Sequence, residues 1–235
     1  EIDKPSVMTL LTEEYPQYFV RGGSLHPNGQ HLIYGANYDF ENEELLEESI
    51  VYRQDLETGE KKVLARPLKH CYSVPTLNSK GTHILYERSD LSPSGKQVWL
   101  VDVEGKEDRE ILNFGEKATV HASWFLDGER VIFFTEEKGY WKVGIWHLNG
   151  GKVDWLLDDQ TRNIDDAYVP YGSDAPVIVE TKNAADYPFL KILKSGEEIH
   201  FDTPMALLPF AKVGESLWLA SHFNSRQPTD LVLYD

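Results

Sequence analysis

Short apolar runs recur along this chain, cut by clusters of Gly, Asn, Asp, Ser and Pro, and no segment holds the 3.6-residue period of an amphipathic helix. The runs fall into copies of one pattern. Ser24-Leu25-His26-Pro27-Asn28-Gly29 leads into Leu32-Ile33-Tyr34, and Thr76-Leu77-Asn78-Ser79-Lys80-Gly81 into Ile84-Leu85-Tyr86. Ser123-Trp124-Phe125-Leu126-Asp127-Gly128 leads into Val131-Ile132-Phe133-Phe134. Two weaker copies place Gly172 before Val177-Ile178-Val179 and Gly214 before Leu217-Trp218-Leu219. The turn glycines 29, 81, 128, 172 and 214 are spaced by 52, 47, 44 and 42 residues. A period of about 40–50 residues built only of strands and turns predicts β-propeller blades.

Each copy parses into four strands. In the second they cover residues 74–77, 82–88, 97–102 and 109–112, with Asn78 and Gly81 bracketing the first hairpin, where a left-handed glycine permits a tight reversal. The second strand of each copy is almost continuously apolar, as in sheets covered on both faces. The expected fold is all-β: one propeller over residues 1–235, of four-stranded antiparallel blades near 22–65, 73–112, 121–157, 166–201 and 206–235. The last copy has strands at 206–210, 215–220 and 230–234 and lacks a fourth. Residues 7–12, Val7-Met8-Thr9-Leu10-Leu11-Thr12, are predicted to supply it, closing five blades into a ring and removing an exposed edge. A piece of a larger ring is the alternative.

Composition narrows the function. A formal charge of −16, from 23 Lys and Arg against 39 Asp and Glu, repels phosphate backbones and argues against nucleic acid. No apolar run approaches a membrane span. The single cysteine, Cys71, excludes an internal disulfide and a cysteine metal cage; with no secretory signal, the expected location is the cytoplasm. No cofactor motif occurs.

The repeats resemble the S-P-D-G-x-x-I-x-F repeat of TolB-like propellers, and the strands ending Val51-Tyr52-Arg53-Gln54-Asp55 and Val98-Trp99-Leu100-Val101-Asp102 resemble that group's I-Y-x-x-D strand. Within the group the chain looks most like the N-terminal propeller of prolyl-oligopeptidase-type serine hydrolases. Pro228-Thr229-Asp230-Leu231-Val232-Leu233-Tyr234-Asp235 is similar to the segment that closes such propellers shortly before the hydrolase domain. The fourth and fifth copies depart from the S-P-D-G turn, and the family usually has seven or eight blades. The resemblance implies a non-catalytic domain that gates and positions short peptides for a separate α/β-hydrolase domain, its partner in the parent chain.

Candidate chemistry is sparse. Gly22-Gly23-Ser24-Leu25-His26 fails the G-x-S-x-G elbow at its last position, and Ser24 lies in a predicted strand. The eight histidines show no paired metal-ligand spacing. His26 and His121 fall on predicted innermost strands, where a hydrogen-bonded structural role is expected. Asp165-Asp166 begins the fourth inner strand, where a five-bladed glycosidase would place a carboxylate, but no other inner strand offers a matching partner. The longest insertion, residues 39–48, is expected to form one or two helical turns around Leu45 and Leu46. In aminopeptidase members of the resembled family a propeller Glu pair grips the substrate's amino terminus. The resemblance thus implies Glu43, Glu44, Glu47 and Glu48 as candidate substrate-binding residues. A free-standing TolB-like protein-binding scaffold and, less directly, a carbohydrate-active enzyme are the other readings.

Overall fold

The computed structural model describes residues 19–66, 74–89, 95–137, 139–180, 189–192, 197–201, 206–224 and 227–235. Among them every regular element is a strand. Sheet 1 comprises β1 (Val20–Leu25), β2 (His31–Asp39), β3 (Glu44–Asp55) and β4 (Lys61–Ala65). Sheet 2 comprises β5 (Thr76–Leu77), β6 (His83–Arg88), β7 (Gln97–Asp102) and β8 (Arg109–Leu112). Sheet 3 holds β9 (Thr119–Trp124), β10 (Arg130–Glu137), β11 (Tyr140–His147) and β12 (Val153–Leu157). Sheet 4 holds β13 (Ile164–Tyr168), β14 (Val177–Glu180), β15 (Phe189–Ile192) and β16 (Glu198–Phe201). Sheet 5 has three strands, β17 (Ala206–Lys212), β18 (Trp218–Asn224) and β19 (Gln227–Tyr234). Every strand pairs antiparallel with the next, so each sheet is a meander.

The apolar runs are continuous because alternate residues serve two neighbours. Ile33, Val51 and Leu64 of sheet 1 pack on Ile84, Tyr86 and Val101 of sheet 2. Leu85, Val98 and Leu100 turn the other way, onto Val120, Val131 and Phe133 of sheet 3. Ile132, Phe134 and Val143 meet Ile164, Ala167 and Ile178 of sheet 4, and Val177 and Val179 meet Ala220 and Val232 of sheet 5.

The repeated turns also join sheet to sheet. His26, Asn78 and Phe125 occupy one position of the motif; each carbonyl accepts the N–H of its turn glycine (2.8–3.0 Å). His26 Nδ1 accepts the Asn28 N–H, so Nε2 carries the proton and donates to Gly81 O at 2.9 Å. Asn78 Nδ2 donates to Gly128 O at 2.9 Å. Phe125 has no such group and joins the core between sheets 3 and 4. The glycines receiving these contacts have no room for a side chain: a Cβ on Gly81 (φ +71°) would stand 2.6 Å from His26 Nε2. A Cβ on Gly29 would meet nothing within 4 Å among the described residues.

Three expectations change. The first strand of sheet 2 starts at Thr76 rather than residue 74, since Pro75 has no N–H to give a ladder. In sheet 5 the turn runs later than expected: Val213 and Gly214 both donate to Leu217 O, so β18 begins at Trp218 and runs to Asn224. The segment expected to be helical is a β-hairpin extension, described below. Residues 7–12 lie outside the described residues. Val232 and Tyr234 of β19 pack toward sheet 4, and alternation turns Leu231 and Leu233 outward, 70% and 65% exposed. The third strands of sheets 1 to 3 are buried on both faces.

Candidate functional site

The acidic insertion continues β2 and β3 as a bent hairpin. Tyr38 opposes Leu45 and Asp39 opposes Glu44, while residues 46–49 bulge opposite Asn37. Asp39 caps the tip by accepting the Glu41 N–H at 3.0 Å, and Glu43 turns the chain in the left-handed region (φ 54°). Helical turns are excluded because this register pairs Leu45 across the hairpin. The tip folds back over sheet 1, the Phe40 ring lying 5.1 Å from Tyr52 and under Lys61 Nζ at 4.6 Å. Tyr52 Oη donates to Tyr38 O at 2.9 Å, and burial pushes its phenol up to about 12. Asp39, only 4% exposed, pairs with Arg66 at 2.7 Å, and this hydrogen bond holds its carboxyl far below the ordinary range against the cost of burial. Glu43, Glu44 and Glu47 stand on the exposed edge of this clamped hairpin and Glu48 is half-buried.

A second cluster joins sheets 2, 3 and 4 through β6, β9 and β13. His121 of β9 stacks on Phe134 (5.0 Å) and faces Trp141 (6.3 Å). Its Nδ1 lies 3.3 Å from Glu87 Oε1 on β6, and Lys96 Nζ lies 2.9 Å from Glu87 Oε2. Burial pushes the Glu87 carboxyl up, but hydrogen bonds from His121 and Lys96 outweigh it and leave the group below its usual value. Asp166, on β13, is within electrostatic reach of His121; burial pushes its carboxyl up, the Ala167 N–H (2.8 Å) offsets part of this, and Asp165 adds to it. One carboxylate is thus engaged by both Lys96 and His121, and the next has no cationic hydrogen-bond partner among the described residues.

Beside this cluster a groove of about 590 Å³ opens between Phe114, Glu116, Lys117 and Ala118 on the connection from sheet 2 and Glu136 and Gly139 on the β10–β11 hairpin. Lys96 N donates to Ala118 O at 2.9 Å, which ties the groove wall to the Glu87 cluster. Glu136 pairs with Thr119 and Phe134 with His121, so Glu136 and His121 share one face of sheet 3.

Of the sequence candidates, His121 and Asp166 come together, whereas the four glutamates belong to the separate hairpin. Glu87 and Lys96 were missed. The available signal was repeat alignment: Glu87 stands where Gly35 and Phe134 stand in the sister copies. Ser24 accepts the Leu77 N–H at 3.2 Å within β1, and His26 serves the turn clamp, so both are structural. Cys71 lies outside the described residues. Among those residues no three His, Cys, Asp or Glu side chains are placed to hold a metal ion.

No protein-family profile matches the chain. No curated protein matches it by sequence. Solved structures do match in fold. TolB from Acinetobacter baumannii superposes with a TM-score of 0.56 at 15% identity, over 88% of this chain and 52% of that one. A puromycin-hydrolyzing peptidase from Mycobacterium tuberculosis gives 0.65 at 13% identity, over 93% and 36%. The β-propeller domain of the Trilobed protease from Pyrococcus furiosus, described as having an open velcro topology, gives 0.62 at 13% identity, over 93% and 69%. The chain spans about half of that TolB and about a third of the puromycin-hydrolyzing peptidase. Successive antiparallel meanders packed face to face, together with these likenesses, identify the fold as a TolB-like β-propeller, shared with the propeller domains of prolyl-oligopeptidase-type peptidases.

Proposed function

We propose that this chain is the non-catalytic propeller of a prolyl-oligopeptidase-like serine peptidase. In that role it covers a separate α/β-hydrolase domain, excludes folded proteins and positions short peptides. The observation that carries the reading is where the polar groups lie. In an antiparallel meander the turn from second to third strand and the link to the next sheet leave from one end. The acidic hairpin of sheet 1 and the groove beside His121 therefore share that end of the propeller. Glu43, Glu44, Glu47 and Glu48 are the residues assigned to a peptide's amino terminus. Ser24, engaged in the β1 to β5 junction, has no nucleophilic part.

The same proposal gives the propeller five blades, with residues 7–12 as the fourth strand beside β19. The outward Leu231 and Leu233 lie where that closure would bring residues 7–12. Deleting residues 1–12 then removes a ladder of bonds worth roughly 1 kcal/mol each and lowers the melting temperature by many degrees; an unchanged melting temperature refutes closure. For the peptidase role, the isolated chain is expected to give no hydrolysis of chromogenic peptides and no fluorophosphonate label. It should also bind short peptides in preference to folded proteins. Stoichiometric labelling at Ser24, lost in Ser24→Ala, would overturn the reading. The likeness to TolB supports a second reading, a free-standing protein-binding scaffold; saturable capture of folded partners without binding of short peptides would favour it.

A further inference from the structure

We infer that Asn149 is a site of spontaneous covalent modification: its carboxamide is lost to attack by the Gly150 backbone nitrogen, leaving aspartate or isoaspartate in the turn between β11 and β12. The chain has two Asn-Gly pairs, 28–29 and 149–150. Both are exposed turn residues, so exposure does not separate them. Hydrogen bonding does. The Gly29 N–H donates to His26 O at 2.8 Å, and Asn28 Oδ1 accepts the Gln30 N–H at 2.9 Å. Among the described residues neither the Asn149 carboxamide nor the Gly150 N–H makes a hydrogen bond. The difference traces to the repeat. In sheet 1 the third strand ends at Asp55, whose Oδ1 accepts the Glu57 and Thr58 N–H groups at 2.9 and 2.8 Å. In sheet 2 Asp102 Oδ1 accepts the Glu104 and Lys106 N–H groups in the same way. Sheet 3 has His147 at this position, opposite Arg130 as Asp55 is opposite His31. His147 Nε2 donates to Asp154 Oδ2 at 2.9 Å, so the Gly150 N–H, counterpart of the Thr58 N–H, has no carboxylate to cap it.

An amide nitrogen attacks only after losing its proton, and an N–H engaged in a hydrogen bond gives that proton up less readily. Gly150, at φ +88°, also has no Cβ to obstruct the approach. Once hydroxide has taken the Gly150 proton, the nitrogen bonds to Asn149 Cγ. The Cγ–Nδ2 bond breaks, and ammonia leaves with a proton returned from water. Water then opens the cyclic imide at either carbonyl, giving aspartate or isoaspartate. Asn149 lines an open cavity of about 290 Å³ with His147, Lys152 and Asp154, so water reaches the imide. The product puts a second carboxylate into the cavity that holds the pair of Asp154 with Lys152 (2.6 Å). Isoaspartate also lengthens the main chain inside the turn that the Gly151 N–H closes on His147 O at 3.1 Å.

The test is peptide mapping by mass spectrometry after the 235-residue chain has stood folded for several days in mildly alkaline buffer. The same chain in denaturing guanidinium chloride is the reference, and there both Asn-Gly pairs should convert at similar rates. In the folded chain Asn149 should gain about 1 Da about ten-fold faster than Asn28, the ratio that about 1.4 kcal/mol in the barrier gives. His147→Asp restores the carboxylate of sheets 1 and 2. It should slow conversion at Asn149 and leave Asn28 unchanged, with a melting curve showing that the variant folds. Equal rates at the two pairs in the folded parent chain, or no conversion at Asn149, overturns the inference without any variant. A folded His147→Asp that converts Asn149 as fast as the parent overturns the part played by the missing cap.

Discussion

Asn78 is the sharpest place to test how the sheets are held in register. The side chain is 1% exposed and fully used: Nδ2 donates to Gly128 O (2.9 Å) and Thr82 Oγ1 (3.0 Å), and Oδ1 accepts from Thr82 N (2.8 Å) and His83 N (3.2 Å). Truncation to Ala removes the side-chain bond from the sheet 2 turn to Gly128 O and leaves buried backbone groups without partners. Each lost bond is worth about 1 kcal/mol net, and a stranded buried group about 1–3 kcal/mol, so Asn78→Ala should cost roughly 2–4 kcal/mol. For a chain of this size that corresponds to roughly 5–15 °C in melting temperature. Asn78→Asp separates the terms. It keeps the acceptor for Thr82 and His83 but puts a buried carboxylate oxygen against Gly128 O, so any loss it shows reports on the inter-sheet contact together with the cost of burying a charge. Urea denaturation followed by tryptophan fluorescence and by circular dichroism measures both variants. An Asn78→Ala midpoint within about 0.5 kcal/mol of the parent would refute the clamp, and a fully stable Asn78→Asp would assign the role to the turn alone.

Gly81→Ala should destabilise much more than Gly29→Ala. Both residues have left-handed φ, costing an alanine about 1–2 kcal/mol, but only at Gly81 does the new Cβ meet His26; equal midpoints in urea would contradict this. Arg66→Met should loosen the acidic hairpin and expose it to pepsin near Phe40 and Leu45. Because Asp39 is depressed in the folded chain, its contribution is present above the ordinary carboxylate pKa of about 4 and is lost only well below it. Protection of the parent hairpin should therefore persist at pH 3, and cleavage at equal rates in parent and variant would argue against the clamp. Asp166→Asn should raise stability at pH 7. The folded carboxyl is raised, so ionisation above about pH 4 opposes folding and the gain should vanish in acid; a destabilised variant at pH 7 would show that the charge is compensated.

Local chemistry made the succession of sheets readable from the chain alone. The turn motif ending at Gly29, Gly81 and Gly128 needs a left-handed residue at one place, and the continuous runs Ile84-Leu85-Tyr86 and Val131-Ile132-Phe133 are stable only between two covered faces. Both signals arise within a few residues, so repeat length, strand order and the all-β class followed from them. Weak turns blurred the reading: without the motif at Gly214, the start of β18 was set by the Leu217 bonds.

The site was not local in this sense. Glu87 and His121 are 34 positions apart in the chain (121 − 87), and their 3.3 Å contact exists because sheets 2 and 3 stack in one register. Glu43 to Glu48 read as a solvated, helix-prone acidic stretch. Only the pairing of Tyr38 with Leu45 and the ion pair from Asp39 to Arg66 made it a hairpin clamped over sheet 1. The sequence by itself determined the elements, through turn chemistry and the two-residue period of strands. Which charges meet was decided by tertiary structure, since Coulombic pairing depends on separation in space and on burial, and the order of residues along a chain specifies neither.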